Sequence, residues 1–201
     1  MSATSSSPQP GLVLASASPY RRALLERLGL PFRQCPADID ETPRRGESPA
    51  DLVMRLAREK ARTVATVETG AIIIGSDQVA VRGDDILGKP TNAEDAMAQL
   101  AHSAGHQVEF LTGVCVLAPG RMEDPEEHMD ITRVVFRPLD ATEIRRYVER
   151  ERPLDCAGSF RAEGLGIALF ERIDSQDPTG LIGLPLIWLA QALRRLGLTV
   201  L

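Results

Sequence analysis

The stretch VLASASPYRRALLERLG, Val13 to Gly29, decides how this chain is built. It opens as a short apolar run and then turns helical. Ser18 suits a helix N-cap, Pro19 suits the first helical position, and Gly29 suits the end. The reading is a buried strand from GLVLAS, a tight turn, and a helix over Pro19–Leu28. Ser16, Ser18, Arg21 and Arg22 gather at that helix start. Free N–H groups and the helix dipole favour an anion there, hydroxyls add donors, and arginine forks onto phosphate oxygens. The plainer reading is a capped surface helix with solvent-facing arginines.

Working outward, strands and helices alternate. PFRQ reads as a strand leading into a polar loop. Ser48-Pro49-Ala50-Asp51 has capping-box spacing and opens a long helix to about Val67. AIIIGSDQVAV reads as a strongly buried strand, and RGDDI as a turn. Thr91-Asn92-Ala93-Glu94 is a second capping box, opening a helix to about Ser103. QVEFLTGVCVL and DITRVVF read as strands separated by a polar loop over 118–128. Asp140 caps a helix to about Glu149, GLGIALF reads as a strand, and LPLIWLAQALRRLG as the last helix, with Trp188 in the core. The pattern predicts an α/β fold around a mixed sheet, with two lobes flanking a cleft. Residues 1–10 read as a disordered Ser/Pro tail and 11–201 as a single domain.

The bulk properties narrow the function. The 201 residues carry a net charge of −5, with 43% hydrophobic and 25% charged residues. An acidic balance argues against a nucleic-acid polymer as partner. Cys35, Cys115 and Cys156 are far apart and make no CxxC pair, which fits a reducing cytoplasm and no disulfide framework. No apolar run approaches the about 20 residues of a membrane span. Ala15-Ser16-Ala17 resembles a signal-cleavage site, but no Lys or Arg precedes it and the apolar stretch is too short for a signal core.

Several residues invite chemistry. Lys60 falls on the apolar stripe of Val53, Leu56, Ala57 and Val64, so its amine either snorkels out or meets an anion. Asp77 follows IIIGS, at the expected end of a central strand, where carboxylates often stand at a ligand cleft. Gly75 leaves room for close backbone approach. With Asp40 and Glu41, Asp77 offers hard oxygens for a Mg²⁺-like ion. GDDILGKP, Gly83 to Pro90, matches GxxxxGK, but Pro90 stands where a Ser or Thr should be, so a P-loop is rejected and Lys89 remains as a single phosphate contact. His102 and His106 have helical metal spacing, but Gly105 ends the helix between them.

The segments LASASPYRRALLERLG, DIDETP, LAREKA, IIGSDQV, GKPTNAEDA, PLDCAGSFRAEGLGIALFERIDSQDP and LIGLPLI occur in an order that resembles the Maf family of nucleotide pyrophosphatases. The resemblance runs from about residue 12 to the C-terminus. It implies a two-lobed, Maf/ITPase-like α/β fold with a long mixed sheet, and hydrolysis of nucleoside triphosphates to monophosphate and pyrophosphate with a divalent cation, Mg²⁺ or Mn²⁺. It implies that Ser16, Ser18, Arg21 and Arg22 bind phosphate, that Lys60 and Lys89 neutralise charge on the leaving group, that Glu41 and Asp77 hold metal, and that Asp77 accepts the proton of water. Tyr20, Gln78 and Glu163 depart from the pattern of members acting on dTTP and UTP. They resemble the branch acting on 7-methylguanosine triphosphate, whose cationic base suits an aromatic face and a carboxylate. The implied partner is a nucleotide, with no membrane or nucleic-acid polymer and a homodimer as a family-level expectation. The alternatives are dTTP or UTP as substrate, and a nucleotide-binding regulator of septum formation.

Overall fold

The structure is a computed structural model and describes residues 10–201; the expected disordered tail lies, apart from Pro10, outside the described residues. Among the described residues are seven strands and five α-helices: β1 Leu12–Leu14, α1 Pro19–Glu26, β2 Phe32–Gln34, α2 Pro49–Ala65, β3 Ile72–Arg82, β4 Asp85–Leu87, α3 Ala93–Ser103, β5 Gln107–Leu117, β6 Glu126–Phe136, α4 Ala141–Glu151, β7 Phe170–Asp174 and α5 Leu186–Arg195. They form one mixed sheet in the order β2-β1-β3-β5-β6-β7, with β4 also paired to β3. β1 runs parallel to both β2 and β3; the pairs β3–β4, β3–β5, β5–β6 and β6–β7 are antiparallel.

The long strand β3 sets the geometry of everything that follows. On one edge it pairs with β5 continuously from Ile73 to Val81. On the other edge its first part pairs with β1, ending at Leu14↔Ile74, and its last part pairs with β4, starting at Ala80↔Leu87. Residues 75–79 pair with neither. That gap in the ladder is where the cleft opens. Asp77 therefore sits in mid-strand and not at a strand end as expected, although it lies just past the C-terminal end of the parallel β1 pairing.

Helix α2 packs on β3 and β5. Its buried face, Leu52, Val53, Leu56, Ala57, Lys60, Ala61 and Val64, repeats at helical spacing. Two glycines let the helix backbone come this close. A Cβ at Gly75 would stand 2.2 Å from the Ala57 carbonyl oxygen, and one at Gly113 would stand 2.8 Å from that of Val53. Around the β1 end, Leu14, Leu24, Leu25, Ile74, Leu184 and Leu189 are fully buried. At the other end, Phe136, Phe160 and Phe170 stack edge-to-face with centroids 4.8–5.7 Å apart. Each such side chain contributes about 1.5–3 kcal/mol by leaving water.

Local signals mostly fall where the sequence puts them, with exceptions. Ser18, Ser48 and Asp140 cap their helices, and α4 carries a full capping box with Glu143. Helix α3 is capped by Asn92 and not Thr91: Asn92 Oδ1 accepts from the Asp95 N–H at 2.9 Å, while the Asp95 carboxylate accepts from the Thr91 N–H. The GLGIALF strand is also corrected. Leu165–Leu169 forms a 3-10 turn, because the Gly164 and Gly166 N–H groups both donate to the Arg161 carbonyl, and the strand begins only at Phe170. β6 starts earlier than expected, at Glu126. Trp188 is partly buried, stacked on His128 at 5.0 Å. Among the described residues, no helix is long and apolar enough to cross a membrane.

Candidate functional site

A cleft of about 540 Å³ opens at the gap in β3 and is lined by Ser16, Ser18, Tyr20, Arg21, Glu41, Lys60, Asp77, Gln78, Lys89 and Glu163 among others. Of the residues that the resemblance assigns to the site, Arg22 alone lies outside it; Asp40, singled out beside Glu41, is not in the lining either and accepts from the Thr42 N–H at 2.9 Å. The Arg22 guanidinium bonds Glu26 at 3.0 Å, and the Arg22 side chain is 60% exposed.

The first part of the site is the β1–α1 turn. Ser16 is buried at the end of β1, and its Oγ accepts from the Ser18 N–H at 3.2 Å and from Arg21 at 3.4 Å. Gln34, on the neighbouring strand, donates to the Ser16 carbonyl at 2.9 Å and fixes the turn from below. Arg21 Nε donates to the Gly183 carbonyl at 2.9 Å. Gly183 has φ +120°, and a Cβ there would stand 3.3 Å from Arg21 Nε, so this contact depends on glycine. Burial lowers the Arg21 pKa, while the charges of Asp77 and Glu41 act to raise it.

The second part is a buried charge cluster. The Lys60 ammonium bonds Glu41 at 2.7 Å and Asp77 at 2.6 Å, and the Lys60 side chain is 9% exposed. The lysine on the apolar stripe therefore meets anions and does not snorkel. Asp77 is nearly as enclosed, at 12%, whereas Glu41 is 59% exposed on its loop. Partial burial pushes the Glu41 carboxyl up, but the hydrogen bond and charge of Lys60, with Lys89 and Arg21 beyond, hold it below its usual value.

The loop carrying Glu41 is anchored by a residue that sequence reading missed. Arg55 of α2 bonds Glu47 at 2.6 Å, Glu59 at 3.1 Å and the Thr42 carbonyl at 3.1 Å. Its bond to Glu47, backed by the Arg44 N–H, holds the Glu47 carboxyl down to about 2. The capping position Ser48 hints that a loop ends there, but nothing local says which helix residue grips it.

The cleft is also lined by Tyr20, Gln78, Asp155, Cys156 and Glu163. Gln78 Nε2 donates to Thr112 Oγ1 at 2.9 Å and to the Gly180 and Leu181 carbonyls at 3.0 Å, tying β3 to the 180–182 turn. Glu163 is exposed and makes no hydrogen bond or ion pair among the described residues. The Tyr20 hydroxyl donates to Asp155 Oδ2 at 2.8 Å, and Arg161 lies 5.5 Å over the Tyr20 ring centroid. Asp155 and Arg161 were not singled out as site residues, although both fall in the segment PLDCAGSFRAEG.

The donor set suits a hard cation. Two carboxylates already converge on a single positive charge, each with an oxygen to spare, and a Mg²⁺-like ion is commonly held by one or two carboxylates together with substrate phosphates. No cluster of three or more His, Cys, Asp or Glu that could hold a metal occurs among the described residues, so protein ligands alone do not complete such a site. His102 and His106 share no site: His102 faces Arg82 and Asp85, and His106 bonds the Ala104 carbonyl at 2.8 Å.

In this α/β fold a hydroxyl- and arginine-lined helix start and a lysine-bridged carboxylate pair line one cleft, a donor set of the kind that suits a polyanion. The chain belongs to the Maf family: the model of the Maf-like protein matches residues 11–196. It is 51% identical over 192 residues to the 7-methyl-GTP pyrophosphatase of Nitrosococcus oceani, covering 96% of each chain. It is 53% identical over 183 residues to the 7-methyl-GTP pyrophosphatase of Alkalilimnicola ehrlichii, covering 89% of each. The solved structure of a HAM1 protein from Coxiella burnetii aligns with a TM-score of 0.44 at 16% identity, covering 64% of this chain and 73% of that one.

Proposed function

We propose that the protein hydrolyses 7-methyl-GTP to 7-methyl-GMP and pyrophosphate, clearing a modified nucleotide. The relatives bearing that name support the substrate. The observation that carries the chemistry is Lys60, buried between Glu41 and Asp77 in the cleft that also holds Ser16, Ser18 and Arg21. Fixed donors and cations at one end of a cleft suit a triphosphate, and enclosure from water strengthens them.

In this reading Ser16, Ser18 and Arg21 grip the phosphate chain. Arg22 has no part, since its guanidinium is turned to Glu26. Water adds to the α-phosphorus, the bond from that phosphorus to the α–β bridging oxygen breaks, and pyrophosphate leaves. Asp77 takes the water proton on Oδ2, while its Oδ1 accepts from Lys60. Lys60 and Lys89 offset the negative charge that grows on the leaving group. Glu41 and Asp77 are the residues that would hold a divalent cation, which supplies further neutralisation of the phosphate oxygens when bound. Tyr20, Gln78 and Glu163 sit toward the base, and the negative charge there complements a purine made cationic by N7 methylation. The protein acts in the cytoplasm, as one domain over 11–201 and as a homodimer.

The test is pyrophosphate release from 7-methyl-GTP, GTP, dTTP and UTP with Mg²⁺ or Mn²⁺. The expected result is the highest kcat/KM for 7-methyl-GTP. A preference for dTTP or UTP overturns the substrate, and tight nucleotide binding without any pyrophosphate release would favour a regulator. Asp77→Asn should lower kcat by about a hundredfold or more with the fold intact, the usual range for losing a general base.

A further inference from the structure

The mouth of the cleft holds a side-chain cluster with no role in the chemistry above. Tyr20 comes from the first turn of α1, two residues past the Ser18 cap. Its hydroxyl reaches across to Asp155, 135 residues away, and donates to Oδ2 at 2.8 Å. The other Asp155 oxygen accepts from Arg161 at 3.4 Å, and the Arg161 guanidinium covers a face of the Tyr20 ring. Tyr20 and Asp155 line the cleft; Arg161 does not. With Arg161 over one face of the ring, the other face is the one a base would stack on.

Arg161 itself is loosely held. Its contact to Glu151 is 4.0 Å, its bond to Asp155 is long, and its Nε is buried with no partner. The short bond in the cluster is Tyr20 to Asp155. Asp155 and Glu151 together outweigh the charge of Arg161 by one, so the cluster itself is net negative. Glu163 is exposed and anchors nothing, whereas Asp155 is tied directly to the aromatic ring.

We infer that Asp155 is a positioning residue for base recognition: its carboxylate fixes the Tyr20 ring, with Arg161 behind it, as the platform on which the nucleotide base stacks. This rests on the proposed substrate only for the identity of the base. The role is base-directed, so it leaves the grip on the phosphates unchanged. That separates it from a general structural role, which would weaken both ends of the cleft together.

The experiment compares KM for 7-methyl-GTP with the inhibition constant of inorganic tripolyphosphate, a probe that carries phosphates and no base. Loss of one partly exposed hydrogen bond should raise KM about fivefold in Asp155→Ala, with tripolyphosphate inhibition unchanged to about twofold. Asp155→Asn keeps an oxygen acceptor for the Tyr20 hydroxyl and should recover most of the loss. Tyr20→Phe should match Asp155→Ala, and the double variant should be no worse than either alone. If Asp155→Ala folds poorly, the Asn and Phe variants carry the comparison. Equal weakening of nucleotide and tripolyphosphate, or losses that multiply in the double variant, overturns the inference. If the wild-type protein does not turn over 7-methyl-GTP, the substrate reading fails by itself, and the same comparison is made with the nucleotide it hydrolyses best.

Discussion

Lys60→Met separates two accounts of the site by the sign of a stability change. Lys60 lies on the buried stripe of α2, with Leu56 and Val64 one turn away on either side. If its amine only snorkelled, an unbranched apolar side chain of similar length would be neutral or stabilising there. The structure instead has the ammonium 2.6 Å from Asp77 and 2.7 Å from Glu41. Removing one partner of a buried ion pair costs about 3–5 kcal/mol, because the other charge is left uncompensated. Asp77 is enclosed enough to suffer that cost, but Glu41 is 59% exposed and remains solvated, so the lower end applies. A loss of about 3 kcal/mol corresponds to a fall in Tm of about 6–12 °C for a chain of this size. Mg²⁺ should restore part of the loss in the variant and raise the wild-type Tm less, since a second cation can then sit between the two carboxylates. The assay is thermal unfolding with and without Mg²⁺, read beside pyrophosphate release. A Lys60→Met protein that melts at or above the wild-type temperature refutes the reasoning.

Three further outcomes follow from other parts of the structure. Gly75→Ala should unfold or strongly destabilise the protein, by more than the usual about 1–3 kcal/mol of overpacking, because the new Cβ meets helix backbone at the Ala57 carbonyl and not a movable side chain; a melt within error of wild type would contradict this. The Arg55–Glu47 anchor holds a carboxyl depressed from 4.5 to about 2, so its stabilisation is complete above pH 4.5 and disappears as the pH falls toward 2; the Tm gap between wild type and Glu47→Gln should narrow over that window and stay constant above it. Activity should vanish in a chelator and return with Mg²⁺ or Mn²⁺, because the carboxylate donors are hard and too few to retain the ion alone; full turnover after exhaustive dialysis into chelator would exclude a metal role.

Much of this was legible in the chain because the signals are local. Ser18-Pro19 and Asp140 with Glu143 specify helix starts through bonds within a single turn, so their caps could be read directly. Lys60 stood out because periodicity puts it on a buried face, and Gly75 because the strand around it is otherwise bulky. What could not be read depends on contacts across the fold. The break in pairing along β3 that opens the cleft exists because β1 stops at Leu14 and the antiparallel β4 stops at Leu87, and strand lengths of that kind follow from packing. Asp77 accordingly seemed to end a strand that continues to Arg82. Arg22 resembled a phosphate ligand because it neighbours Arg21, yet at the start of a helix adjacent residues point about 100° apart, and only Arg21 turns inward. The apolar run GLGIALF reads as a strand, but the Arg161 carbonyl accepts from two glycine N–H groups and Leu165–Leu169 forms a 3-10 turn. Asp155 is met by Tyr20 from 135 residues away, and no spacing reveals such a partner; Arg55 has Glu59 at i+4, but its grip on Glu47 and the Thr42 carbonyl depends on how the loop folds back.

Hydrolysis at the α-phosphorus of 7-methyl-GTP is read directly by turnover in oxygen-18-enriched water followed by mass spectrometry of the products. One heavy oxygen is expected in 7-methyl-GMP and none in the pyrophosphate released with it. Heavy oxygen in orthophosphate, with 7-methyl-GDP as the nucleotide product, or in pyrophosphate itself, would contradict it.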